Sequence, residues 1–183
     1  MNDLVSRGVS EDGAIVFGSN AYAPKANATN DFGKVCLGAE ISLAFLESFS
    51  ARQSRKIDLG IATGHYVVMA AIETGSSAPE KDGIIEFYWA PSAFPAAERG
   101  NPGGVDGRDS RFNGYSGGDL GVALRHLDLI GVMPLDGVAR TIQVASLGVF
   151  ATTMRYGSLV IFNKSSAALE QDDTEMAVVF RPV

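Results

Sequence analysis

An antiparallel β-sandwich of jelly-roll type, preceded by an extended N-terminal arm, is the all-β fold this sequence predicts. Three observations predict it. Short apolar segments alternate with polar residues at the period of a strand. Clusters of Gly, Pro, Asn, Asp and Ser separate those segments. No strand–helix–strand alternation occurs, so a parallel doubly wound sheet has no support. At 183 residues the chain is read as one domain, large enough to bury a core without crosslinks.

The elements follow in order. Residues 1–30 read as the arm: "SNAYAPKANATND" is small and polar, is broken by Pro24, and has no sustained periodicity. A short strand, "AIVFG", interrupts it. Residues 31–183 are assigned to the sandwich. In "VCLGAEISLAF" the apolar residues Val35, Leu37, Ala39, Ile41, Leu43 and Phe45 alternate, and Gly38 argues against a helix. "SRKIDLG" reads as a second strand. "HYVVMAAIETG" is a third, apolar on both faces as a central strand would be. "GIIEFYWA" is a fourth, with Ile85, Phe87 and Trp89 on one side. A long glycine-rich loop, 93–119, comes next. "LGVALRHLDLIGVMPL" starts with one or two helical turns and ends as a strand closed by a Pro-Leu-Asp-Gly turn. "RTIQVASLGVFAT", with Ile142, Val144 and Phe150 on one side, "RYGSLVIFNKS" and "EMAVVFRPV" complete eight or nine strands.

Composition removes several function classes. The single cysteine, Cys36, excludes an internal disulfide framework, and its apolar surroundings suit a small buried hydrophobe. The formal charge is −6, and Arg99, Arg108 and Arg111 are interleaved with Glu98, Asp106, Asp109 and Asp119. That mixture is a solvated loop rather than the basic patch that nucleic acid requires. The first residues show no basic stretch followed by an apolar one, so no secretory signal is expected. The longest apolar run, Tyr66 to Ile72, is too short to span a bilayer. A soluble protein of a reducing compartment is expected, in which the sequons at Asn27 and Asn163 carry no meaning.

The stretch Arg99–Asp119 holds seven glycines in twenty-one residues, a density used both for phosphate cradles and for turning surface loops. The glycines do not fit the dinucleotide-binding spacing, and the loop has no lysine for a P-loop. Asp106, Asp109, Asn113 and Asp119 could supply oxygens to an irregular calcium site. The EF-hand spacing and its terminal glutamate are missing, and turn chemistry explains the same residues. Ser146 lacks the preceding glycine of a nucleophile elbow, since Val144 stands there. His126 and Asp128 would share a strand face, but no placed nucleophile accompanies them. Two histidines and a distant cysteine do not make a zinc site. The expectation is a protein without catalysis, cofactor or metal.

Several segments carry a resemblance. "IIEFYWAPSA", "GNPGGVDG", "LDLIGVMPL", "ASLGVFATTMRYGSLVIFNKS" and the closing "VVFRPV", with "NAYAP" near the start, resemble the capsid decoration, or cement, proteins of tailed bacteriophages. The likeness is loose before Ile57 and better from Gly83 onward. It implies a β-sandwich, made in the host cytoplasm, that binds the major capsid protein on the outer face of the virion. It further implies a homo-oligomer, most simply a trimer, with no direct contact to nucleic acid or membrane. Residues of contact character are Tyr22 and Pro24 in the arm, and Phe94, Arg99, Arg108, Arg111, Phe112 and Tyr115 in the loop; Tyr and Arg are enriched at contact hot spots. Two other readings suit the same sandwich. One is a tail, neck or fibre-base component, and the other is a carbohydrate-binding jelly roll using Tyr88 and Trp89.

Overall fold

Ile85, Phe87 and Trp89 are each fully buried, while Ile84, Glu86 and Tyr88, alternating with them, are half-buried. The period-two pattern thus places one face of this strand in the core of a β-sandwich. The computed structural model describes residues 13–60 and 64–183. Among them are ten strands: β1 (Ile15–Gly18), β2 (Ser50–Gln53), β3 (Ile57–Asp58), β4 (Gly64–Glu73), β5 (Ile84–Ser92), β6 (Ser110–Phe112), β7 (Asp128–Pro134), β8 (Ile142–Thr152), β9 (Tyr156–Lys164) and β10 (Ala177–Pro182). The helical content described is one α-helix, α1 (Leu120–Leu124), and a 3-10 turn at Pro102–Gly104.

Two antiparallel sheets result. One runs β1-β10-β4-β8 and the other β6-β2-β9-β5-β7, with β3 also on β9. The pairing is nested from the chain ends inward: β1 with β10, β2 with β9, β4 with β8, β5 with β7. Between the sheets lies an aromatic cluster. Phe180 has ring centroids of Phe17 at 5.1 Å, Trp89 at 5.6 Å and Tyr66 at 5.9 Å. Gly157 on β9 makes room for the indole: a Cβ there would lie 2.3 Å from the Trp89 ring.

Two sequence expectations need correction. The 1–30 arm does not extend as an arm through residues 13–30. Ala14, Ile15, Val16 and Phe17 are at most 1% exposed, and β1 is hydrogen-bonded to β10 along its length. Four consecutive apolar residues buried on both faces gain more than an unpaired strand could. The following residues are tied down as well. Ala23 N donates to Thr174 O at 2.8 Å, and the Asn30 side chain donates to Glu175 O at 3.1 Å. Residues 1–12, the rest of the expected arm, lie outside the described residues.

The second correction concerns 35–45, which is not a strand. Gly38 takes φ +86° and Phe45 φ +55°, and these left-handed residues break the alternation. Leu37 is consequently 69% exposed, although Ala39, Ile41 and Leu43 are buried. The segment instead runs beside the outer edge of β1, where Cys36 N donates to Val16 O and Ile41 N to Gly18 O. It covers a strand edge that would otherwise be open to other chains.

Candidate interaction surface

The glycine-rich loop is a built layer rather than an adaptable one. Val105, Phe112, Ala123, Leu124 and Leu127 pack with Ala51, Ala90 and Val160 into a second small core. These last three lie on β2, β5 and β9, so the loop and α1 roof the outer face of that sheet. Glycine permits the close packing. A Cβ at Gly107 would lie 2.2 Å from Ala97 O, in a residue whose φ is +73°. The Asn101 side chain bridges Ala97 O and Val105 O, at 2.7 and 2.9 Å. Asp119 caps α1 by accepting from Val122 N at 3.0 Å.

A buried lysine holds the start of the loop. Lys56 is 2% exposed, and its Nζ donates to Ser92 Oγ (3.0 Å), Phe94 O (3.3 Å), Ala96 O (2.7 Å) and Arg99 O (2.8 Å). Burial pulls its pKa down to about 8.

The residues expected to contact a partner divide. Phe94 and Arg99 form one exposed tip, the guanidinium 4.4 Å from the ring centroid. Tyr115 is 52% exposed, while its hydroxyl accepts from Gly103 N at 3.1 Å and its ring meets His126 edge-on. Arg108 is exposed and pairs with Glu98 at 3.3 Å. Arg111 lies apart from them on β6, near Glu47 (3.6 Å) and Ser50 Oγ (3.1 Å). Phe112 is corrected from a contact to a core residue: it is 1% exposed, because the strand period turns it into the second core while Arg111 faces out. Tyr22 and Pro24 are half-buried on another part of the surface, and the Tyr22 hydroxyl is taken up by Asn30 O and Phe32 N.

Sequence reading missed two residues. Phe45 and Phe49 are 60% and 63% exposed and hold φ of +55° and +53°. A bulky residue in that region is strained. The strain is held by a rigid frame. The buried Asp173 carboxylate accepts from Ser42 Oγ, Leu43 N and Ala44 N at 2.8–3.3 Å. Phe45 N donates to Glu170 O, and Asn163 Nδ2 donates to Leu46 O. Next to Phe45 is a groove of about 240 Å³, lined by Leu46, Glu47, Ala51, Arg52 and Arg111 among others. The Arg52 guanidinium is fixed beside it by Asp109, at 2.8 Å. Nothing in the local sequence "LAFLESFS" announces a left-handed phenylalanine.

The residues weighed for chemistry are dispersed. Asp106 accepts from Gln53 Nε2 and Arg108 N, Asp109 from Arg52 and Ser42 N, and Asp119 from the helix start. No group of three or more His, Cys, Asp or Glu placed to hold a metal occurs among the described residues. Cys36 is buried, with its Sγ accepting from Val16 N. Ser146 Oγ accepts from Gly148 N, and His126 sits after α1 rather than on a strand with Asp128. No helix among the described residues is long and apolar enough to cross a membrane. The sequence matches no protein-family model and no curated protein.

Proposed function

We propose that this protein is a structural virion component of a tailed bacteriophage, binding the major capsid protein on the outside of the shell and cementing it. In this reading it acts without catalysis or cofactor, as a symmetric homotrimer at a point where capsid subunits meet. The capsid assignment rests on the resemblance of its segments to decoration proteins. The nested pairing of first strand with last, second with second-last and so on supports the jelly-roll reading, because a long hairpin wrapped into two Greek keys gives that order.

The observation that carries a binding role is the pair Phe45 and Phe49. Two exposed rings stand in strained backbone, and Phe45 is held there by a hydrogen-bonded frame beside a groove. Strain at an exposed apolar site serves contact rather than folding. The sugar-binding alternative loses its main platform, since Trp89 is fully buried.

A protein that binds only the assembled shell stabilises it by mass action. Particles prepared without this protein should release DNA at lower temperature than particles that carry it. Coincident release curves would overturn the cement role.

A further inference from the structure

One flank of the sandwich carries almost no charge. It is formed by β7 and β8, each the last strand of its sheet. β7 pairs with β5 and β8 with β4, and among the described residues no other backbone hydrogen bond reaches their outer edges. Asp128, at the start of β7, is the one charged residue in the two strands. Natural sheets guard an edge with charge, proline, shortness or a covering segment. The other two edges of this fold follow that rule. Residues 36–41 cover β1, and β6 is three residues long and carries Arg111. β8 runs for eleven residues without charge or proline.

Each of these strands bulges once, β8 opposite Val68 and Met69, β7 opposite Phe87 and Tyr88. At mid-length the two strands meet: a Cβ on Gly131 would lie 2.9 Å from Leu147 O. That contact closes the flank and leaves an apolar patch on either side of it. β7 turns Ile130 and Met133 into the core and Leu129 and Val132 out of its sheet, where both are exposed. β8 turns Phe150 into the core and Val149 out of the other sheet, exposed beside Val67 on β4. The two sheets pack face to face, so the patches point in opposite directions.

Opposed patches select the partner. A flat surface covers one of them and leaves the other open. A two-fold dimer does the same, because it buries one patch against its own copy. A head-to-tail ring covers both, since each copy offers β7 to one neighbour and β8 to the other. Charge points the same way. Copies that each carry −6 repel one another, and they approach most closely where neither side is charged. We propose that these two patches are the surfaces through which identical copies join: Leu129 and Val132 of one copy meet Val149 of the next, round a closed ring. The inference rests on the homotrimer proposed above and names its contact. Phe45 and Phe49, beside β2 at the other side of β9 and β5 from β7, stay outside the ring contact and free for the shell.

The test uses the full chain, in which the native Cys36 is buried. Sedimentation of the wild type should give three times the chain mass. Val132→Asp and Val149→Asp should each give the mass of one chain at the same concentration, with wild-type melts because both side chains are exposed. A bis-maleimide crosslinker then reads the geometry. Val132→Cys alone and Val149→Cys alone should not crosslink, their mixture should give a covalent dimer, and the double variant a covalent trimer. Crosslinking of either single variant would mean a two-fold contact and overturn the ring, as would a ladder beyond three in the double variant. A trimeric wild type that both aspartates leave intact, or in which the mixture does not crosslink, keeps the trimer and removes this surface. A wild type that stays a single chain removes both. The cement role is read separately, by DNA release.

Discussion

Replacing Phe45 or Phe49 by glycine should leave the fold's stability nearly unchanged while weakening partner binding. Each ring is about 60% exposed, so each buries roughly two-fifths of its surface. Full burial of a phenylalanine contributes up to about 3 kcal/mol, so that fraction is worth ~1 kcal/mol. Left-handed backbone costs an L-residue ~1–2 kcal/mol, which glycine recovers. Glycine also gives the unfolded chain more freedom, at a cost of ~0.5–1 kcal/mol. The terms cancel to within about 1 kcal/mol, a Tm change of less than ~4 °C for a domain of this size. Phe→Asn at the same positions, where asparagine tolerates the conformation, serves as the companion variant. Binding should respond differently. An aromatic anchor at a contact centre contributes about 2 kcal/mol or more, a roughly 30-fold loss in affinity when it is removed. The assay pairs thermal melts with co-sedimentation on capsids lacking the protein. Phe112→Ala is the control, because that ring is 1% exposed and its loss should cost ~3–5 kcal/mol. If Phe45→Gly destabilised as much as Phe112→Ala, the exposed rings would be supports of the fold. If melts and binding were both unchanged, the strain would have no functional reading.

Three further outcomes are expected. Gly157→Ala should destabilise by roughly 2 kcal/mol or more in urea titrations, since its Cβ would sit 2.3 Å from a fully buried indole ring that has no room to move. Deleting residues 1–18 should abolish cooperative unfolding, because it removes β1 and the buried side chains of Ile15, Val16 and Phe17; a truncated protein with a native melt would show that β1 is dispensable. Lys56 should make the fold more stable at alkaline pH: the folded amine releases its proton near 8 while the unfolded one keeps it to 10.5, so unfolding takes up a proton in that window and stability rises with pH across it. The wild-type stability minus that of Lys56→Met, measured by urea titration at several pH values, should therefore climb from pH 8 to 10.5 and be level below it.

The sequence was most legible where strands bury apolar residues on a regular period. β4, β5, β9 and β10 stand where their patterns put them, and Trp89 is in the core, as its alignment with Ile85 and Phe87 implies. β2 was invisible because it is polar. Ser50 and Gln53 are buried in it, and Gln53 is satisfied by Asp106 and Ser110, partners more than fifty residues away. Lys56 was illegible for the same reason: in "SRKID" it reads as a solvated charge, and its four acceptors come from the end of β5 and the loop after it, distant in sequence. The 35–45 segment failed differently. Its alternation is real, but Gly38 and Phe45 in left-handed conformations turn the chain out of register with any partner strand.

These misses share a location, and the location bears on function. The sandwich core is specified locally, by side-chain period, and would tolerate conservative exchange of its apolar residues. The surface beside β2 and β6 is specified non-locally. Asp173 shapes the segment before Phe45, Lys56 shapes the loop before Arg99, and Asp109 joins the two by accepting from Ser42 N and from Arg52. Buried polar groups that must find distant partners cost stability if any one partner is lost. Asp173 and Lys56 are two such groups, one holding the segment before Phe45 and the other the loop before Arg99. In the proposed binding role this is the expected arrangement, because positions fixed before contact reduce the ordering cost of binding.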